Sequence, residues 1–363
     1  MARTLPLVIS EGSVQHRTLR ALVPPAIVVL VIAVPYLLRT FQLGQVTHAL
    51  ILATAVVGLN LLSGFGGQIS LGHAAFFGLG AYTTAVLTTG YGWNVPLSFV
   101  LGVVLCVVAG MLIGVPALRL RGGYLAIVTL TVGIIFPNLV RRFEGLTGGS
   151  AGLYGVKYPA PDIPYFSGTA GAAVWLYYVA VAVLALSWLV VWRVMRGRIG
   201  RAIVALRDNE SAAIVMGVNR AFVRTVTFGI SAGIAGLAGG VYAVKVGVLT
   251  PDSFALLLTI ELLIAMVLGG KATHFGPVFG GFLIYFIPHW TSEAGQGPVA
   301  GVLFGIVVII MVFVLPEGIV GGLARVRRRF VVVVPRRPPV AGQKPVETIG
   351  NSRSTEKDSV HVD

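Results

Sequence analysis

Pro298-Val-Ala-Gly-Val-Leu-Phe-Gly-Ile-Val-Val-Ile-Ile-Met-Val-Phe-Val-Leu-Pro316 holds no charged residue. A hydrocarbon core about 30 Å thick is crossed by about 20 helical residues, so this run reads as a membrane span. Working outward, comparable apolar runs lie near 21–38, 46–62, 69–89, 96–116, 123–140, 173–192, 226–245, 254–270 and 276–290. The prediction is an all-α, polytopic integral membrane helix bundle with about ten transmembrane helices, within a range of about eight to eleven. Composition agrees. The 363 residues are 56% hydrophobic and 11% charged, with mean hydropathy +0.89, far outside the globular range. A soluble enzyme and a single-span receptor are excluded.

Charge is concentrated at the ends: residues 1–20 and 322–363 hold 12 of the 27 Lys/Arg. The expected organisation is a cytoplasmic N-terminal segment 1–20, a transmembrane region 21–320 with a polar loop at 193–225, and a basic tail 321–363. The Pro-containing composition of that tail predicts disorder, with Val331–Val334 as a locally sticky run. With both termini cytoplasmic, inner segments carry 22 basic residues and outer segments five: Arg39, Arg141, Arg142, Lys157 and Lys245. That satisfies the positive-inside rule. The net charge of +14 therefore reads as topology, and nucleic acid is not an expected partner. Pro24-Pro25 interrupts the first run and no small-residue cleavage pattern follows, so it reads as an uncleaved span.

The 47 glycines call for two explanations. Spacing by four at Gly110/Gly114, Gly229/Gly233, Gly236/Gly240, Gly276/Gly280 and Gly297/Gly301/Gly305 lets neighbouring backbones approach. Clusters at Gly66-Gly67, Arg121-Gly122-Gly123, Gly148-Gly149 and Gly269-Gly270 interrupt helices instead, which at membrane depth requires protein or a watery path alongside. Gly66–Gly72 and Gly269–Gly276 resemble each other loosely, as repeated halves would.

Glu261 falls inside the run 257–268, where an ionised group must face inward, pair, or be protonated. Both an inter-helix clamp and a gate or pathway role fit it. Asn60, Gln68, His73, Thr129, Thr131 and Asn138 are further polar residues at or near membrane depth, suited to bonds across helices or to lining a path. With Gly66, Gly67, Gly269 and Gly270, the set Asn60, Gln68, His73, Thr129 and Glu261 forms the candidate translocation pathway or helix-break group. The six histidines show no metal-ligand spacing, and single Cys106 offers no disulfide framework, so no metal site is expected. Ala265 and Ala272 spoil a phosphate-binding loop around Gly270-Lys271, so any nucleotide energy must come from another chain. No Gly-x-Ser-x-Gly constellation supports acyl transfer.

The loop 193–225 reads as a short amphipathic helix, with Asp208 and Glu210 near its start and Gly217 as its stop. Ile214, Val215 and Met216 suit a partner's groove, or the bilayer surface.

Glu210-x-Ala212-Ala213-x-x-x-Gly217 resembles the cytoplasmic coupling loop of permease subunits in bacterial ABC importers. Gly58-Leu-Asn60-Leu-Leu-Ser-Gly-Phe-Gly-Gly-Gln-Ile-Ser-Leu-Gly-His73-Ala-Ala-Phe-Phe-Gly-Leu-Gly-Ala-Tyr82, Tyr124–Leu130, Leu146-Thr-Gly-Gly149, Gly200-Arg-Ala202, Ile260-Glu-Leu-Leu263 and Val267-Leu-Gly-Gly270 are similar, in order, to branched-chain amino acid permeases of the LivM type. The likeness runs from about 46 to 320. Pro137 and Asn138 depart from it, standing where the family tends to carry a Glu-containing helix.

The resemblance implies a non-enzymatic transport subunit in the bacterial inner membrane. Its partners would be a LivH-type sister permease, two ABC ATPase subunits and an extracytoplasmic solute-binding protein, within membrane lipid. ATP and Mg would bind only on the ATPases, and this chain would hold no cofactor. Arg207, Asp208, Glu210, Ala212, Ala213, Met216 and Gly217 would form the ATPase-coupling loop. Leucine, isoleucine or valine would be the cargo, with urea, short amides or other amino acids as alternatives. An ion-coupled secondary transporter using Glu261 is the rival from another class.

Overall fold

The computed structural model describes residues 7–10, 25, 28–117, 123–161, 163, 166, 168–294 and 298–334. Arg3, Arg17, Arg20, Arg119, Arg121, Gly122, Gly297 and the tail beyond 334 lie outside the described residues. The described residues are mostly helical. In order come α1 (Val28–Leu37), α2 (Thr40–Leu59), α3 (His73–Ala85), α4 (Val95–Ala117), α5 (Gly123–Arg142), α6 (Glu144–Thr147), α7 (Gly168–Arg196), α8 (Arg198–Asp208) and α9 (Glu210–Val215). Next are α10 (Arg220–Val246), α11 (Leu256–Gly269), α12 (Gly276–Ala294), α13 (Pro298–Val314) and α14 (Gly318–Phe330). Two short pairings accompany them. Leu153–Tyr154 (β2) runs antiparallel to Val248–Leu249 (β3), with Leu153 opposite Leu249. Leu7–Ser10 (β1) runs parallel to Val331–Val334 (β4), with Leu7 opposite Val331.

Seven helices are long and apolar enough to cross a membrane, covering 40–65, 95–115, 124–142, 168–196, 220–246, 251–269 and 299–323. The chain is thus an all-α, polytopic membrane protein. The three other predicted runs are also helical, but shorter or more polar. Only Val28–Leu37 of the first is an apolar helix among the described residues. The run from 69 opens with non-helical backbone, and α3 then gives way to a π turn at Val86–Gly90. The last, α12, closes on the polar segment from Pro288 to Glu293.

α10 and α2 form the buried centre, because their small residues let neighbours close in on every side. A Cβ on Gly110 would stand 2.6 Å from the Ala232 Cβ, one on Gly229 2.9 Å from Met111 Cγ, and one on Gly233 2.6 Å from Val107 Cγ2. α4 and α10 therefore meet backbone to backbone, as the glycine spacing implied. Around them Phe77, Tyr82, Phe136, Tyr242 and Phe254 interlock edge to face or tilted, with ring centroids 5.2–6.3 Å apart.

Three expectations need correction. The tail is not disordered from 321: α14 extends to Phe330 and β4 follows, since the apolar Val331–Val334 run finds a partner at Leu7–Ser10 that local composition does not disclose. Loop 193–225 holds two short helices rather than one. Asp208 is the last residue of α8, not an acid near a start, because Asn209 turns extended (φ −152°, ψ 100°) and caps α9 afresh. Finally, Gly301 and Gly305 face open space, so their side of α13 has no close neighbour among the described residues, while Phe304 between them packs on the core.

Candidate coupling loop and helix-break site

The site begins where α2 stops. Asn60–Phe65 continue α2 as a π turn, a local widening of the helix often found at functional sites, and Gly67 then adopts φ +64°. A side chain at Gly67 is blocked twice, by that φ and by Arg207 Cγ, 2.8 Å from the would-be Cβ. A second break follows α11, where Gly270 takes φ +117° and Ala272 +57°. Thr273 stabilises it, accepting the Gly276 N–H at 3.0 Å and donating to the Gly270 carbonyl at 2.7 Å.

Asn60 joins the two breaks. Its Oδ1 accepts the Ala272 N–H at 2.9 Å and its Nδ2 donates to the Thr273 carbonyl at 2.8 Å. The π turn that leads into the first glycine-rich segment therefore meets the second in space. Ser231 of α10 adds a third element, donating to the Gly58 carbonyl at 2.7 Å.

Other predicted polar residues serve as clamps. Thr129 Oγ1 accepts the Leu71 N–H at 2.9 Å, and Thr259 accepts that of Ala74 at 3.0 Å, so side chains from α5 and α11 satisfy the buried start of α3. His73 Nε2 donates to the Ala55 carbonyl at 3.1 Å, wholly inside the bundle. Gln68 Oε1 is buried without a partner among the described residues. Thr131 and Asn138 bond within their own helix, to Ile127 and Ile134. Glu261 lies half-buried on α11, near exposed Leu257 and Ile260, with no hydrogen bond or ion pair among the described residues. The inter-helix clamp allowed for Glu261 finds no bonded partner among the described residues.

The polar loop packs directly beneath the first break. Ile203 and Leu206 of α8 and Ala213 of α9 are buried with Leu61 and Phe65 of the π turn. Asn209 Oδ1 accepts the Ala212 N–H and Asn219 Oδ1 that of Phe222, both at 3.0 Å, so each following helix has its N-cap. Between them Gly217 takes φ +85° and its N–H bonds the Ile214 carbonyl, the expected stop. Val215 and Met216 are 86% and 84% exposed and Ile214 is 45% exposed, an apolar tip on a polar loop. Arg207 and Asp208 pair at 2.9 Å on the surface.

Glu210 turns the other way. Oε1 accepts from Arg220 at 2.7 Å and Oε2 from Arg224 at 3.0 Å, both on the first turns of α10. The Arg220 hydrogen bond, helped by the Arg224 charge, holds the Glu210 carboxyl below the usual carboxylate range despite some desolvation. In the sequence Arg220 and Arg224 count only as inner positive charges. The caps Asn209 and Asn219 were missed in the sequence, although an asparagine just ahead of a helical run is the signal that marks them.

The family described as "Branched-chain amino acid transport system / permease component" matches residues 42–312. The high-affinity branched-chain amino acid transport system permease protein LivM of Escherichia coli is 31% identical over 313 residues, 81% of this chain and 73% of that protein. LivH of the same organism is 25% identical over 76% of this chain and 91% of its own length. The autoinducer 2 import system permease protein LsrC of Salmonella paratyphi B is 26% identical over 60% of this chain and 63% of its own. No solved structure matches. A match across the bundle, both breaks and the 198–217 loop makes this chain a member of the branched-chain amino acid transport permease family, similar to LivM.

Proposed function

We propose that this chain is the LivM-type transmembrane subunit of an ATP-driven importer in the bacterial inner membrane, passing leucine, isoleucine or valine into the cytoplasm. The observation that carries the reading is the apolar tip Ile214-Val215-Met216, held away from the bundle by two capped helices while α8 presses on the helix break. Such a tip fits the groove of an ATPase subunit. Closure of two ATPases on ATP and Mg would push α8 and α9 against the break at Gly66-Gly67 and alternate the access of the path. No covalent chemistry falls to this chain. A LivH-type sister permease would complete the path, and an extracytoplasmic binding protein would deliver the cargo.

About ten spans with cytoplasmic termini remain the best division of the chain. The strand pairing of Leu7–Ser10 with Val331–Val334 supports it, since both ends then lie on one side. So does the grouping of 193–225 with the breaks at 66–72 and 270–275, all inner segments in the charge assignment. Arg142 and Lys157 fall on the outer side, where a binding protein would dock, while Arg141 is engaged by Asp252.

Likeness to a permease named for autoinducer 2 import favours a second reading, in which the importer class holds but the cargo differs. Reconstitution with sister permease, ATPases and binding protein decides. Leucine uptake that needs internal ATP and disappears in Gly217→Trp is expected. Assembly without leucine uptake would move the cargo elsewhere, and ATP-independent, proton-driven uptake would overturn the importer.

A further inference from the structure

The acid of the coupling loop does not point at a partner. Glu210 is the first residue of α9, where a carboxylate already meets the positive end of the helix. Both of its oxygens are occupied from within the chain, by Arg220 at 2.7 Å and Arg224 at 3.0 Å. One acid answered by two guanidinium groups is a stiffer link than a single surface pair, because neither oxygen is left to re-aim. The three side chains are between 17% and 28% exposed, so water competes with the link only in part.

What the link joins is specific. On one side is α9 with its exposed Val215-Met216 tip. On the other is α10, the helix whose small residues touch α2, α3 and α4 at backbone distance. About three turns into α10, Ser231 holds the Gly58 carbonyl, two residues before Asn60. Only the segment Met216-Gly217-Val218-Asn219 connects α9 to α10 by chain, and Gly217 at φ +85° with open space around it offers little resistance to bending. Without the carboxylate link, force on the tip would be taken up at Gly217.

Resting on the importer reading, we infer that Glu210 is a positioning residue which, with Arg220 and Arg224, forms a brace inside this chain that passes ATPase motion from α9 into α10. The contact offered to the ATPase is then the apolar tip, and the acid works behind it.

The test uses the full reconstituted importer. Glu210→Gln is expected to assemble normally and to hydrolyse ATP at close to the unsubstituted rate, while uptake per ATP falls about tenfold. Inverting the brace, with Glu210→Arg, Arg220→Glu and Arg224→Glu together, is expected to recover most of that ratio, which a role in contacting an unaltered ATPase would not allow. Unchanged uptake per ATP in Glu210→Gln overturns the brace. So does loss of ATPase assembly in Glu210→Gln that the inversion fails to restore, which would make Glu210 an intersubunit contact. If Glu210→Gln fails to fold, recovery of both folding and uptake by the inversion still supports the brace, and recovery of neither removes it. Absence of ATP-dependent uptake by the unsubstituted complex would remove the importer reading itself and the brace with it.

Discussion

Asn60 Oδ1 accepts the backbone N–H of Ala272 at 2.9 Å, closing a contact between residues 212 positions apart. The same side chain donates to Thr273, so one amide satisfies two backbone groups that the break after α11 leaves without helical partners. Asn60→Leu keeps the size and removes both bonds. Each buried group left unpaired costs about 1–3 kcal/mol, so thermal unfolding of the purified permease should move to clearly lower temperature. An unmoved transition would show the tie to be idle.

Glycine substitutions should separate by what their Cβ meets. On Gly239 it would collide with the Phe77 carbonyl and stand 3.1 Å from the Ala81 N–H, backbone that cannot swing aside. Gly239→Ala should cost about 1–3 kcal/mol as overpacking. Gly301→Ala meets nothing within 4 Å and gains helix propensity, so it should be neutral or slightly stabilising in the isolated chain. Paired melting curves in one detergent check both signs.

Those two glycines also mark what a sequence conveys. Spacing by four correctly gave the packed seam of α4 and α10, yet the same spacing at Gly301 and Gly305 faces open space, because period specifies a face and not what covers it. Apolar run length located the helices, since the bilayer fixes how many residues a span takes. Consecutive glycines located the breaks at 66–67 and 269–270, because each needs a φ that side chains resist. Their meeting through Asn60 was not legible, nor was the pairing of Leu7–Ser10 with Val331–Val334, as both join segments more than 200 residues apart. In the loop, composition suggested one helix, but Asn209 restarts the chain there. Glu210 finds Arg220 and Arg224 only through the turn that Gly217 and Asn219 impose.

The pH response of the loop follows from the same pair. Hydrogen bonding from Arg220 lowers the Glu210 pKa in the folded loop, so its contribution is fully present above the ordinary carboxylate range. It is lost as pH falls through that range and below, when the folded-state carboxylate finally protonates. A spin label on Val215→Cys, which is exposed while native Cys106 is buried, should report constant mobility above about pH 5 and rising mobility on acidification. With Glu210→Gln the label should be mobile at neutral pH and insensitive to acid. Equal profiles in the two proteins would dissociate loop order from this carboxylate.

The exposed tip makes a separate prediction. Val215 and Met216 are largely exposed, so with Val215→Asp and Met216→Asp the isolated permease should keep its stability within about 0.5 kcal/mol. Charges in a desolvated groove would weaken ATPase association by at least about tenfold, read as loss of co-purification. Retained association would move the docking surface off α9.

Glu261 decides between energy sources. It has no ion pair or hydrogen bond among the described residues, and its neighbours on α11, Leu257 and Ile260, are exposed. A carboxyl in that position is tolerated only where water or another chain reaches it, or where it carries a proton. A secondary transporter would need that proton to cycle, and Glu261→Gln would then abolish uptake along with its response to a proton gradient. In an importer driven at α9, the work enters through α8 and α10, and residue 261 has only to remain polar beside the path. Glu261→Gln should therefore keep ATP-dependent uptake within about threefold of the unsubstituted complex, with no dependence on an imposed proton gradient in either. Glu261→Leu should fare worse, because it removes the polar group that a watery path requires. Gradient-dependent uptake that vanishes in Glu261→Gln would assign the driving force to this carboxyl and take it away from the coupling loop.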